Sequence, residues 1–299
     1  MKKILVFGPA RTVETLNLPA LNASAEGMGY ETVLGGQGET VAVALARLGG
    51  RSVFCGRVGD DSGGKRLVRL LDSAGVDLSA FHVDRTVQTS HLVREVAPTG
   101  ERRLLFSAAD RAMTAEDVSA AFLSAPEAVC VMGELSSDIL FKIGELAKER
   151  AIPLFMLHTG SAPLGEVPPP HVFMTDEATA AALTGVTPSG VDNALKAVIE
   201  LDKRVKADYY IIRQGDRGAF LYDRIYCHLV SAFIVPQVDT RGTDEAFFAA
   251  AMLEYLSAGG DLKLALRYAA AAAAIASTRP GEASAMPTAD EVLAFLERS

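Results

Sequence analysis

Tryptophan is absent from the 299 residues, and cysteine occurs three times, at Cys55, Cys130 and Cys227. No C-x-x-C pair is present, so neither a disulfide framework nor a structural zinc site is expected, and a reducing cytoplasm suits the chain. Basic charge is short as well: 29 Lys and Arg stand against 37 Asp and Glu, a formal net charge of -8. No overall positive field is available to hold a phosphate backbone or an anionic bilayer, so no nucleic acid and no membrane is expected as a partner. Long apolar runs are missing too. The most apolar stretch, Tyr268 to Ala276, is alanine-rich, follows Lys263 and Arg267, and is too short to cross a bilayer. It reads as a core helix. Met1 to Gly8 has a basic flank, but its apolar run stops after four residues and no small-residue cleavage site follows. A first strand is the better reading.

What is present fits a globular α/β protein. Hydrophobic residues make up 49% and charged residues 22%, enough to build a large buried core. No repeat or low-complexity linker divides the chain, so one main domain over residues 1–299 is expected. In the second half, Ala128 to Met132, Pro153 to Leu157, Val172 to Met174 and Tyr209 to Ile212 are strand-like. Ser137 to Arg150, Glu177 to Leu183 and Asn193 to Lys206 between them are helix-like. Such alternation predicts parallel strands with right-handed crossovers and a sheet covered on both faces. Two regions differ. Residues 9–34 are turn-rich and extended, and residues 87–106 hold two extended runs around Pro98-Thr99-Gly100, the pattern of an antiparallel hairpin. Together they predict a small sheet standing off the main domain as a lid.

Three glycine-rich constellations carry chemistry. Gly35-Gly36-Gln37-Gly38-Glu39-Thr40 opens a helix that Gly49 ends, and its free N–H groups suit a polar ligand or simply a tight turn. Arg213-Gln214-Gly215-Asp216-Arg217-Gly218 follows a strand, where glycine permits either close approach of a nucleotide or a hairpin turn. Asp239-Thr240-Arg241-Gly242-Thr243-Asp244-Glu245 leads into a helix, an arrangement suited to an anion nest with a carboxylate positioned to take a proton from a hydroxyl. The alternative for that third segment is an ordinary capped helix start.

The order and spacing of these segments resemble the PfkB/ribokinase family of sugar and nucleoside kinases, from Lys3 to the C-terminus. Ile4 to Gly8 is similar to the family's first strand, Gly35 to Gly49 to its G-G-x-x-x-N-x-A-x-x-x-A-R-L-G signature, and Val58 to Gly64 to its V-G-D-D-x-x-G. Asp239 to Phe247 aligns without gaps to D-T-x-G-A-G-D-A-F, and Ser277 to Thr288 is similar to the closing segment. The resemblance implies a ribokinase-like three-layer α/β/α fold with a mostly parallel central sheet and a small β-sheet lid. It also implies ATP with Mg²⁺, and a sugar-like or nucleoside alcohol held between sheet and lid.

Carried over by position, the resemblance places catalysis at Glu245, Asp244, Gly242 and Arg241. Nucleotide binding falls at Arg213, Gly215, Gly218, Asp239, Thr240 and Asp176. Substrate binding falls at Val13, Gly35, Gly36, Thr40 and His158; no protein metal ligand is assigned. Several stations depart from the pattern. The base position is Glu245 rather than Asp, the Gly-Ala-Gly nest is Gly242-Thr243-Asp244, and the Asn of the sugar signature is Thr40. The N-x-x-E that organises Mg²⁺ and phosphate is Asp176 through Thr179, with Glu177 two positions off. A pairing of Arg241 with Asp244 would offset part of the charge that Asp244 brings to the nest, and would count against weakened chemistry. Two functions fit these departures: a kinase of a small sugar, polyol or nucleoside with weakened chemistry, or a non-catalytic relative that binds a nucleotide or metabolite as a sensor or partner subunit. A homodimer through the lid is expected.

Overall fold

The computed structural model describes residues 1–21, 30–34, 36–98, 102–106, 113–160 and 163–299. In chain order the strands are β1 (Lys3–Phe7), β2 (Arg11–Asn17), β3 (Tyr30–Leu34), β4 (Arg51–Gly59), β5 (Phe81–Asp84), β6 (Ser90–Val96), β7 (Arg102–Phe106), β8 (Ala128–Met132), β9 (Leu154–Leu157), β10 (Val172–Asp176), β11 (Tyr209–Arg213), β12 (Ala219–Tyr222) and β13 (Cys227–Val230). The helices are α1 (Gln37–Arg47), α2 (Ser62–Ser73), α3 (Ala115–Ala121), α4 (Ser137–Glu149), α5 (Glu177–Thr184), α6 (Gly190–Leu201), α7 (Thr243–Ser257), α8 (Leu262–Ser277) and α9 (Ala289–Leu296).

Nine strands form one sheet in the order β13-β12-β11-β10-β9-β8-β1-β4-β5. It is parallel from β5 across to β11, and β12 and β13 add antiparallel at one edge. The continuous apolar runs of the central strands follow from burial on both faces, since successive side chains point opposite ways. Ile4 and Val6 of β1 join a core with α1, α7 and α8, whereas Leu5 and Phe7 join one with α3, α4 and α6. In α8 the run Ala269 to Ala274 is buried, its short side chains allowing a close approach between helices.

The expected helix from Asn193 to Lys206 is instead α6, which begins after Ser189 and ends at Leu201. Asp202 is its C-cap, still helical, and its carboxylate pairs with Arg224 at 2.7 Å and accepts from the Tyr210 hydroxyl. The charged residues Lys203, Arg204 and Lys206 therefore lie beyond the helix rather than on its face.

A second sheet has the order β3-β2-β6-β7, with β2 and β6 parallel and both outer pairings antiparallel. Its strands occupy the two extended regions anticipated in the sequence; the turn at Thr99 and Gly100 lies outside the described residues. The β2–β6 register puts Arg11, Val13 and Thr15 on the same face as Ser90, Leu92 and Arg94. The opposite face carries Thr12, whose Oγ1 lies 2.9 Å from His91 Nδ1, and Glu95, which accepts from Arg103 at 2.7 and 2.8 Å. Among the described residues no helix is long and apolar enough to cross a membrane.

Candidate active site

In a parallel sheet the carboxyl ends of the strands share one edge, and helices begin there. Glu134 follows β8, His158 follows β9, Asp176 ends β10 and Arg213 ends β11. The start of α7 faces them, approached through residues 238–242. That approach is tied down at both ends. Val238 and Asp239 donate their N–H groups to Ser277 O at 2.8 and 3.1 Å. The Asp239 carboxylate accepts from Arg241 Nε and Nη2 at 2.9 and 2.6 Å, and from Gly281 N–H at 3.0 Å. Burial opposes ionisation of Asp239, but these donors outweigh it and hold its carboxyl below the usual range.

Gly242 is the N-cap of α7 with φ +77°, a conformation glycine takes without strain, and a Cβ there would meet Met286 Cε at 2.9 Å. The helix thus begins at Thr243 with no shift of register, and Asp244 and Glu245 fall in its first turn. Glu245 is pushed up to about 8, first by burial and then by Asp244, Glu282 and Glu134. Asp244 is also raised, by burial and by Asp176, against the opposing pull of Arg213.

A pairing of Arg241 with Asp244 is not what the structure shows. Arg241 precedes the N-cap and closes back on Asp239, two residues away, so its guanidinium stabilises the turn. Asp244 pairs instead with Arg213, whose Nε lies 3.3 Å from Oδ1. Arg213 is only 5% exposed, stacks 4.4 Å over the Phe247 ring and donates to Gly218 O at 2.7 Å. It is neither a solvated surface residue nor an uncommitted cation.

Gly215, Arg213, Thr240, Thr243, Phe233 and Ala270 are among the residues lining a cleft of about 150 Å³ beside α7 and α8. Gly215 opens a short 3₁₀ turn between β11 and β12, so this segment is both a turn and a wall of the cleft. Gly218 has a backbone reason to be glycine: φ is +108°, and a Cβ would lie 1.8 Å from Val230 O. Gly218→Ala is expected to destabilise the protein by about 3 kcal/mol or more, the sum of a glycine-only conformation and a backbone clash. Chemical denaturation checks this; an unchanged midpoint would contradict the geometry.

Asp176 caps α5 by accepting Thr179 N–H at 2.6 Å. Thr179 Oγ1, where the family pattern has a carboxylate, accepts Gly160 N–H at 2.8 Å, and Glu177 turns outward to Arg217. Hard oxygen donors organise a divalent cation and its water shell, and at residue 179 this station offers a hydroxyl engaged with Gly160 in place of a carboxylate.

At the start of α1, Glu39 is fully buried and accepts Gly36 N–H at 2.7 Å and Arg11 N–H at 2.8 Å. It joins the N-cap of α1 to the first residue of β2. Gly36 lies tight against this joint, since a Cβ would meet Pro9 O at 2.8 Å; Gly35 lies outside the described residues. Val13, Thr40 and His158 are 0%, 2% and 1% exposed, so their side chains are sealed inside the protein. His158 is packed against Gly133, where a Cβ would come within 2.6 Å of Nδ1.

The structure thus gathers Glu245, Asp244, Gly242, Arg241, Asp239, Thr240, Arg213 and Gly215 around one helix start. It adds residues that sequence reasoning missed. Arg11 of β2 pairs with Glu134 after β8, and Arg94 of β6 pairs with Glu282 after α8, both ion pairs reaching from the small sheet to the rest of the protein. Glu134 had a usable signal, a Gly-Glu step just after a predicted strand. Arg94 and Glu282, 188 residues apart, had none.

Comparison with known proteins gives a consistent family and fold. The model for pfkB family carbohydrate kinases matches residues 1–289. Ribokinase from Haemophilus influenzae is 26% identical over 310 positions, covering 100% of this chain and 99% of that protein. Fructokinase-1 from Zea mays is 27% identical over 296 positions, with 92% of each covered. The structure of Arabidopsis thaliana ribokinase complexed with ribose and ATP superimposes with a TM-score of 0.87 at 22% identity, covering 100% of both chains. Ribokinase from Giardia lamblia gives 0.84 at 19% identity, covering 99% of both. The architecture is a ribokinase fold.

Proposed function

Since the chain belongs to the pfkB family of carbohydrate kinases, we propose that it transfers phosphate from ATP to a small sugar, polyol or nucleoside alcohol, and does so slowly. The observation that carries this reading is the position of Glu245 in the first turn of α7, behind a glycine N-cap that sets no side chain over the helix start. ATP lies along the cleft beside Thr240, Thr243 and Gly215, and the acceptor lies between the two sheets near Gly36 and Glu134. Glu245 takes the proton from the attacking hydroxyl. Because burial and neighbouring carboxylates raise it to about 8, only its minor, ionised form serves as base at pH 7. Turnover therefore climbs with pH toward about 8.

Incubation with ATP and ribose, fructose or adenosine, followed by ADP release, tests the proposal. Transfer that disappears in Glu245→Gln supports it. A second reading, binding without transfer, is favoured by the Arg213–Asp244 pair, which puts a carboxylate where a phosphate oxygen would approach α7. Nucleotide binding with no turnover between pH 6 and 9 would select that reading.

Magnesium supplies a second check. With Thr179 committed to Gly160, Mg²⁺ is expected to tighten ATP binding by less than about tenfold in calorimetric titration. A hundredfold gain, on the order of 3 kcal/mol, would contradict this.

We also propose that two copies associate through the small sheet. Its edge strands β3 and β7 have no further strand beside them among the described residues, and Leu105 on β7 is 46% exposed. Light scattering at high concentration should give twice the chain mass; a monomer would count against the interface.

A further inference from the structure

Arg94 lies on β6 of the small sheet and Glu282 in the turn after α8, yet their side chains form an ion pair and are only 13% and 10% exposed. Glu282 also faces the approach to α7. Its Oε1 is 4.0 Å from Arg241 Nη1, and Arg241 is clamped to Asp239, which in turn holds Gly281 N–H. The backbone of Glu282 closes over Gly242, where a Cβ would lie 3.3 Å from Glu282 Cα. One carboxylate therefore touches the small sheet on one side and the turn that places Glu245 on the other. Burying such a pair costs desolvation that two apolar side chains would avoid, and what a buried pair can supply in return is a specified geometry.

We propose that Glu282 is a positioning residue, coupling the docking of the small sheet through Arg94 to the geometry of the Asp239–Gly242 turn, and so fixing where Glu245 meets the acceptor hydroxyl. The role of Glu245 rests on the kinase reading; the coupling rests on the ion-pair geometry alone. The charged groups that face Glu245 are Asp244 on its own helix with Arg213, Glu134 after β8 with Arg11, and Glu282 with Arg94 and Arg241. Glu282 contributes to the raised position of Glu245, so removing its charge lowers the pH at which Glu245 ionises.

Two measurements on the full-length protein test the coupling. Hydrogen exchange is followed by mass spectrometry in the wild type, Arg94→Met and Arg94→Lys. Arg94→Met should speed exchange in peptides covering residues 238–243 by about threefold or more, although the substitution lies on the other sheet. Arg94→Lys, which keeps the charge, should restore slow exchange. Acceleration confined to the small sheet would overturn the proposal. If Arg94→Met does not fold, Arg94→Gln keeps a donor for Glu282 without the charge and is read in the same way. The second measurement is the pH dependence of transfer in Glu282→Gln. Its rising limb should move to lower pH by up to about one unit, with kcat altered more than KM. A limb that stays in place overturns the link to Glu245. Absence of transfer in the wild type would end the kinase reading, while the exchange result would still decide the coupling.

Discussion

The double change Asp244→Gly with Glu245→Asp is expected to raise phosphoryl transfer to a simple sugar by at least about tenfold. Glu245 carries one methylene more than aspartate, which displaces its carboxylate by roughly an ångström; misplacement on that scale can cost on the order of a hundredfold in a positioned reaction. Asp244 adds a carboxylate at the helix start that is raised by burial and by Asp176 and only partly matched by Arg213. Removing it restores bare backbone at the nest, where loss of one oxyanion-type donor typically costs roughly 10² to 10³. The gain will fall short of the product of the two factors, because Arg213 loses its carboxylate in the same step. Its Nη1 stays on Gly218 O and its plane on Phe247, which leaves Nε to meet an incoming phosphate. Coupled measurement of ADP release at 25 °C checks the result. An unmodified protein that already phosphorylates ribose, fructose or adenosine at about 1 to 100 per second would overturn the account.

The second large effect is on stability. Arg213→Ala is expected to cost about 3 kcal/mol or more, measured as a shift of the urea midpoint at constant slope. The substitution leaves Asp244 facing Asp176 without its cation, deprives Gly218 O of a donor, and removes the plane that covers Phe247. Burial of Arg213 makes this much larger than the loss of a surface pair. Arg213→Ala combined with Asp244→Ala should cost less than the two single changes added together, because the carboxylate is no longer stranded. Simple additivity of the two would show that the pair contributes nothing.

Much of the main sheet was legible because its signals are local. The apolar runs at Ile4 to Phe7, Ala128 to Met132 and Tyr209 to Ile212 are strands buried on both faces, and the run at Tyr268 to Ala276 lies within α8. The end of α6 was less legible, because its C-cap Asp202 meets Tyr210 of β11 and Arg224 beyond β12, tertiary contacts that the local pattern does not carry. At the candidate site the spacing of Asp239 to Phe247 located the helix start but not the partners of its charges. Arg241 and Asp244 are three apart, the separation of neighbours on a helix, yet Arg241 lies before the N-cap and turns back to Asp239. The true partner of Asp244 comes from β11, 31 residues earlier. Arg11 with Glu134 and Arg94 with Glu282 join strands of the small sheet to a loop after β8 and a turn after α8, and no local pattern encodes which carboxylate a distant arginine will meet.

Gly133 and His158 form a steric lock between neighbouring strand ends. A Cβ at residue 133 would fall 2.6 Å from the imidazole Nδ1 and 2.8 Å from the His158 Cβ, and His158 is only 1% exposed. Neither position is therefore free to drift alone. Where a relative carries any side chain larger than hydrogen at the first position, the second should hold a smaller residue than histidine, and an inherited histidine should be accompanied by glycine. The two sites are expected to change as a pair across descendants of a common ancestor, leaving a covariation that records packing rather than chemistry.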